Sequence, residues 1–353
     1  MTNRDDWAVV VGIVEYPRWG DLKDLAGAER DAKAFHDWVI DPAGGAVPSN
    51  QALLCVTSQF KPFEPPHNEA PSRDLVERRL QQLAESNGDG KVGRRLYLYI
   101  SCHGFSPPEP NQVACLTADA SSGFPKNVHA NHWADLFYQR GLFDETVLFA
   151  DCCRTSIRQA PVIGSGAAQI QNKAGIEHRK RFYGFAAKMA QETMEVPDES
   201  GHKRGVFTMA LIDGLRGKAA EYGTETVSSA SLKRFLEEFT NDYLPSELSD
   251  QASKINPDIE DNSDSNEPIV FCSLAGGKPT IDIDLQFETN VADGTDAAVL
   301  VSKASHPEVV TIEKVHDNGC KLKLACGHYM VVVGDQAHKL TVSPTNKWEL
   351  EHV

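Results

Sequence analysis

The chain has 353 residues, with 35 Lys and Arg against 50 Asp and Glu, for a net charge of −15. That acidity argues against a general nucleic-acid or anionic-membrane binder, and no apolar run reaches the roughly 18 residues that cross a bilayer. The hydrophobic fraction of 41% supports a sizeable core, and the length suits two domains. The N-terminus Met1–Asp6 is polar. The apolar run Trp7–Val14 is short and ends at Glu15 without a small-residue cleavage site, so a cytoplasmic protein is expected. The eight cysteines follow no regular framework and read as reduced thiols.

In chain order, Trp7–Val14 is a continuous apolar run, as expected of a strand covered on both faces. Leu22, Leu25, Ala28, Ala32, Phe35 and Val39 recur at helical spacing, which predicts a helix over 22–39. Gln51–Val56 reads as a second strand, the proline-rich stretch 61–71 as a loop, and Ser72 as the cap of a helix reaching about Ser86. Strands follow at 94–101, 146–151, 181–187 and 269–272. Helices are predicted near 130–139, 206–215 and 229–239. This alternation of strand and helix predicts an α/β layered fold with a mainly parallel sheet. Asp258–Glu267 is acidic and polar and reads as a surface loop. Gly276, Gly277 and Pro279 mark a hinge, which divides the chain into domains 1–275 and 276–353. Beyond it, Ile281, Ile283, Leu285 and Phe287 alternate with polar residues. Further strand-like segments are separated by turn signals such as Asp317-Asn318-Gly319, so a small all-β sandwich is expected.

Two strands end in reactive residues. Tyr97–Ser101 runs into Cys102-His103-Gly104, and Val147–Ala150 into Asp151-Cys152-Cys153-Arg154. The carboxyl ends of parallel strands share one edge, where α/β proteins build their sites. A Cys and a His brought together there form a nucleophile and its base. A free thiol is only a few per cent ionised near neutral pH, so an imidazole that takes its proton gives the chemistry its means. Gly104 leaves room for a substrate carbonyl, and its N–H and that of Cys153 are the candidate donors of an oxyanion hole. An isolated Cys or His more often fills a core, so pairing at two strand ends carries the argument.

YISCHG at 99–104 and FADCCRTS at 149–156 resemble the His-Gly and Asp-x-Cys signatures of the caspase/metacaspase superfamily of cysteine peptidases. The separation of 50 residues between His103 and Cys153 matches the spacing described for caspases. DLAGAERDA at 24–32 and GVFTMALIDGL at 205–215 resemble two further segments of that superfamily. The resemblance spans roughly 6–272 and implies a caspase-like α/β/α domain. It implies Cys153 as nucleophile, His103 as base, and Asp31, Ser101 and Asp151 in a substrate pocket selecting Arg or Lys at P1. It implies no cofactor, and a monomer in preference to the caspase dimer. Cys152 falls on the residue before the nucleophile and is a decoy for single-mutant work.

Three positions depart from the family pattern. Cys102 replaces the usual glycine before the His, and Arg154 follows the nucleophile. The acidic cluster that binds calcium in many metacaspases is not evident over 105–135, so no metal site is expected. On that resemblance the segment 157–181 corresponds to the region between the two caspase subunits, and it reads either as a loop self-cleaved after a basic residue or as a tolerated surface insertion. A protein or peptide is the expected partner. The rival readings are a silent caspase-like scaffold whose β domain binds a partner, and a peptidase preferring acidic P1 through Arg154.

Overall fold

The computed structural model describes residues 5–63, 68–88, 90–107, 112–155, 178–221, 225–248, 254–264, 266–287, 291–301 and 308–352. Six strands form the main sheet: β1 (Asp6–Gly12), β2 (Ala52–Val56), β3 (Gly93–Ser101), β4 (Phe143–Asp151), β5 (Lys180–Phe185) and β6 (Asp258–Asp261). Their spatial order is β2-β1-β3-β4-β5-β6. The first five are parallel, and β6 is antiparallel at one edge. Five helices flank the sheet: α1 (Ala28–Ile40), α2 (Arg73–Glu85), α3 (Ala130–Arg140), α4 (Val206–Asp213) and α5 (Ser229–Phe239).

The apolar runs of β1 and β3 are unbroken because each supplies two cores. Val9, Val11, Leu96, Leu98 and Ile100 face α2 and α3, among Leu80, Trp133 and Phe137. Ala8, Val10, Tyr97 and Tyr99 face α1, α4 and α5, among Phe35, Leu211 and Phe235. A strand's period of two sends alternate side chains to opposite faces, so a strand covered twice is apolar throughout. The result is the expected α/β/α layering. Ser72 caps α2 by accepting the N–H of Leu75 at 3.3 Å, a contact worth about 1 kcal/mol.

Three segments differ from expectation. The first helix starts at Ala28, not at residue 22. The Leu25 N–H is spent on the Val14 carbonyl at 3.0 Å, so 22–27 is a loop held to the end of β1. The acidic stretch after Pro257 begins as a strand, β6, and not as a loop. Ile259 is buried there, while Asp258 and Glu260 pair with Arg154 (2.7 Å) and Arg181 (3.5 Å). Alternate acids hide a strand when the neighbouring elements supply arginines. The segment Val270–Ser273 pairs antiparallel with Thr226–Ser228, outside the main sheet.

The C-terminal region is a separate antiparallel structure. It comprises β7 (Ile281–Gln286), β8 (Asp296–Val301), β9 (Glu308–Lys314), β10 (Gly319–Leu324), β11 (Gly327–Val333), β12 (Gln336–Val342) and β13 (Trp348–His352). Five strands in the order β9-β8-β11-β12-β13 share one core with the pair β7-β10. That core holds Ile283, Leu285, Val299, Leu322, Val331 and Leu340. Asp317 (φ 49°) and Asn318 (φ 62°) both take the left-handed conformation that two-residue hairpin turns require. Lys218 joins the two parts, with Nζ donating to Asp213 at 2.7 Å and to the Pro344 carbonyl at 2.8 Å.

Candidate active site

Parallel register sets the site. Ser101 at the end of β3 lies opposite Asp151 at the end of β4, and Cys102 N–H extends the ladder to the Asp151 carbonyl at 3.3 Å. His103 and Cys153 are therefore each two residues beyond neighbouring strand ends. β1 sits between β2 and β3, so the chain leaves β1 in one direction and returns on the other side. A crevice opens at such a switch point, and the segment after β1 enters it.

His103, Cys153, Asp31, Ser101 and Asp151 all line one narrow cavity of about 40 Å³. Gly104 follows His103 and is not among the residues that line it. A Cβ at Gly104 would stand 2.8 Å from both Cys152 Sγ and the Cys153 carbonyl, so only glycine lets the two strand ends approach this closely. Two larger cavities, about 430 and 490 Å³, lie where the C-terminal region meets α4 and α5. Neither contains His103 or Cys153, so the reactive groups and not cavity size locate the site.

The His103 Nε2 lies 2.7 Å from the Lys23 carbonyl. A carbonyl only accepts, so Nε2 carries the proton and Nδ1 keeps its lone pair. The His103 backbone N–H donates to Tyr16 Oη at 2.8 Å, and the Tyr16 ring is tilted against the imidazole with centroids 5.1 Å apart. Burial lowers the His103 pKa from its usual value, opposed by the Lys23 carbonyl and Asp24. The Cys153 thiol donates to the Thr193 carbonyl at 3.7 Å, and burial pushes its pKa up to about 11. Burial thus disfavours the ionised form of both groups. Cys152 is different: it is buried, away from the cavity, with Cys102 and Cys115 as neighbours.

The two aspartates are bonded within the chain. Asp31 Oδ1 accepts from Arg204 Nε, and Oδ2 from Gly205 N–H at 2.7 Å. Burial pushes its pKa up to about 7, Asp151 adds to this, and Arg204 opposes it. Asp151 Oδ2 accepts from Thr208 Oγ1 at 2.6 Å and from Thr208 N–H at 3.3 Å, in the first turn of α4. Burial raises its pKa to about 6. A Cβ on Gly205 would overlap the Asp151 carboxylate, so the glycine before α4 makes room for it.

A family model described as the caspase domain matches residues 5–259. The chain belongs to that peptidase family. It is 26% identical over 302 residues to a "probable protease" of a Desulfuromonadales bacterium, covering 78% of this chain and 33% of that one. It thus spans about a third of the length of that curated relative. Among solved structures, caspase-1 from Spodoptera frugiperda aligns at 12% identity and a TM-score of 0.48, over 78% of this chain and 92% of that one. A protein from Geobacter sulfurreducens aligns at 14% and 0.45, over 76% and 99%.

Several residues of this caspase domain escaped the sequence reading. Lys23 acts through its carbonyl, which leaves no side-chain signal. Tyr16, Thr193, Glu195 and Arg204 sit in loops or short strands without periodicity. Glu195 Oε1 accepts the Gly27 N–H at 2.8 Å and lines the cavity. Arg154, the basis of the acidic-P1 reading, is buried elsewhere. Its guanidinium donates to Asp258 at 2.7 Å and to the Ala187 carbonyl at 3.4 Å, and lies 4.6 Å from the Phe185 ring centroid. Among the described residues no helix is long and apolar enough to cross a membrane.

Proposed function

We propose that the protein is a cysteine endopeptidase cleaving after Arg or Lys, with Cys153 as nucleophile and His103 as proton carrier. The observation that carries this is a cavity holding Cys153, His103 and the carboxylates of Asp31 and Asp151. A cationic side chain complements such a pocket, and an acidic one meets repulsion. Arg154 faces Asp258 and Phe185, which supports basic over acidic P1.

In this reading the Cys153 proton passes to His103 Nδ1 as Sγ attacks the scissile carbonyl. The Gly104 and Cys153 N–H groups hold the oxyanion. The antiparallel ladder supports this for Gly104. His103 O accepts from Leu116 N–H at 2.8 Å, so the next N–H points away from that strand. His103 then protonates the leaving amine, and water, deprotonated by His103, releases the acid from the thioester. No cofactor enters these steps. Asp119 is engaged by Lys126 (2.8 Å) and Asp135 by Arg181 (3.3 Å), so activity without calcium is expected.

Most of the proposed self-cleavage loop, 156–177, lies outside the described residues. Arg179 donates to the Tyr138 and Gln139 carbonyls, and Lys180 and Arg181 belong to β5. Those three are poor cut sites, which leaves Arg158 and Lys173 as the basic residues to test.

The test is a fluorogenic peptide panel with Arg, Lys, Asp or Ala at P1, with and without calcium. Wild type is compared with Cys153→Ala and Cys152→Ala. Hydrolysis after Arg and Lys that Cys153→Ala reduces by at least about 10³-fold, and Cys152→Ala leaves, is the expected result. Cleavage after Asp would overturn the pocket. No cleavage under any condition would favour the silent scaffold, and a chain left whole while peptide is cut would remove self-cleavage.

A further inference from the structure

The segment presenting Lys23 to His103 ends at the N-terminus of α1. The cap residue of α1 is Gly27, which has no side chain to satisfy the first N–H groups of the helix. Glu195 supplies the missing acceptor from across the cleft. Its Oε1 takes the Gly27 N–H at 2.8 Å, and the carboxylate faces the N–H groups of Ala26 and Ala28. A carboxylate at a helix N-terminus is stabilised both by those donors and by the helix dipole.

The return contact comes from α1 itself. Asp31, in its first turn, accepts from Arg204 and from Gly205 N–H. Gly205 pairs directly with Glu195 in the hairpin of Glu195–Pro197 with Lys203–Gly205. The hairpin thus gives a carboxylate to the helix, and the helix gives one back. Gly27 makes the approach possible: a Cβ there would meet Glu195 Oε1 at 2.8 Å and the Lys203 carbonyl at 2.9 Å. Leu25 N–H to the Val14 carbonyl, 3.0 Å, is the other anchor of this segment.

We propose that Glu195 is a positioning residue: by capping α1 across the cleft it holds the Lys23 carbonyl against His103 Nε2 and so aims the imidazole. The substrate need not touch Glu195 for this role. The inference rests on the reading of His103 and Cys153 as the reacting pair, and it makes a statement about His103 that holds without turnover.

The test therefore has two arms on the full chain. In the first, the His103 imidazole ¹⁵N signals, assigned by comparison with His103→Gln, are followed against pH in wild type, Glu195→Gln, Glu195→Ala and Gly27→Ala. Glu195→Ala and Gly27→Ala are expected to lose the fixed Nε2–H tautomer and lower the His103 pKa, because the Lys23 carbonyl that favours the imidazolium is released. Glu195→Gln, which keeps an acceptor, is expected to stay close to wild type. Unchanged His103 signals in both disruptive variants overturn the proposal, whether or not peptide is cleaved. In the second arm, Glu195→Ala is expected to lower kcat about 10- to 100-fold with little change in KM or in the Arg-to-Lys ratio. A rise in KM with altered P1 ratio would instead make Glu195 a substrate contact. Lower thermal stability with unchanged kcat would make it only structural. Either result overturns positioning.

Discussion

The two parts of the molecule treat buried polar groups differently. The caspase domain buries Asp6, Asp31, Arg95, Asp151 and Arg154. Among the described residues of the C-terminal strands, only His338 and Ser343 are buried polar side chains. Burying a charge is costly unless it is paired and hydrogen-bonded, so each one in the first part has a structural partner or a chemical task. Arg95 is a partner case, with Nε 2.6 Å from Glu145. Asp31 and Asp151 line the candidate cavity beside His103 and Cys153, with burial raising their pKa values. Perturbed carboxylates in a cleft mark function better than burial does. The C-terminal strands have the ordinary alternation of a half-buried sheet, with no such cluster among the described residues.

That contrast is most sharply tested at Asp151. Asp151→Asn keeps the shape and removes the charge. It is expected to lower kcat/KM for Arg substrates by roughly 100-fold, a loss of about 3 kcal/mol for a desolvated charge pair. The P1 panel measures it, and a uniform loss across Arg, Lys and Ala would remove Asp151 from selectivity. Arg154 is the opposite case, a buried charge with a structural task. Arg154→Met removes its hydrogen bonds to Asp258 and the Ala187 carbonyl and is expected to cost about 1–2 kcal/mol of stability in urea unfolding, since Asp258 is partly exposed and stays solvated. Its P1 preference should match wild type, and a shift away from acidic substrates would restore the rival pocket.

Much of this was legible in the sequence, and the limits have physical causes. Unbroken apolar runs reveal strands covered on both faces, so β1, β3 and β4 and the residues at their ends stood out. His103 and Cys153 were legible because parallel strands align their carboxyl ends. The start of α1 was not, because Leu22 and Leu25 keep helical spacing while Leu22 packs on the core and Leu25 lines the cleft. β6 was hidden because Asp258 and Glu260 are neutralised by arginines distant in sequence. The Lys23 carbonyl carries no residue-type signal at all. Glu195 lies in a polar stretch, and its partner is a backbone N–H 168 residues away.

The smallest expected effect separates cost from use in the same two aspartates. Their pKa values, about 7 for Asp31 and about 6 for Asp151, stand above the usual 3.8. Between about pH 4 and 7 the folded protein therefore binds more protons than the unfolded chain. Stability then falls as pH rises through that window, with a slope of at most about 1.4 kcal/mol per pH unit for each proton. Binding of a cationic P1 side chain has the opposite sign, because it needs the carboxylates ionised. kcat/KM for Arg substrates should rise from pH 5.5 to 7.5 while the urea midpoint falls. Asp31→Asn is expected to flatten the stability slope, since the amide does not titrate in this range. If Asp31→Asn and wild type share one slope, Asp31 is ionised throughout and its pair with Arg204 outweighs its burial. The pocket would then present Asp151 as its titrating acid.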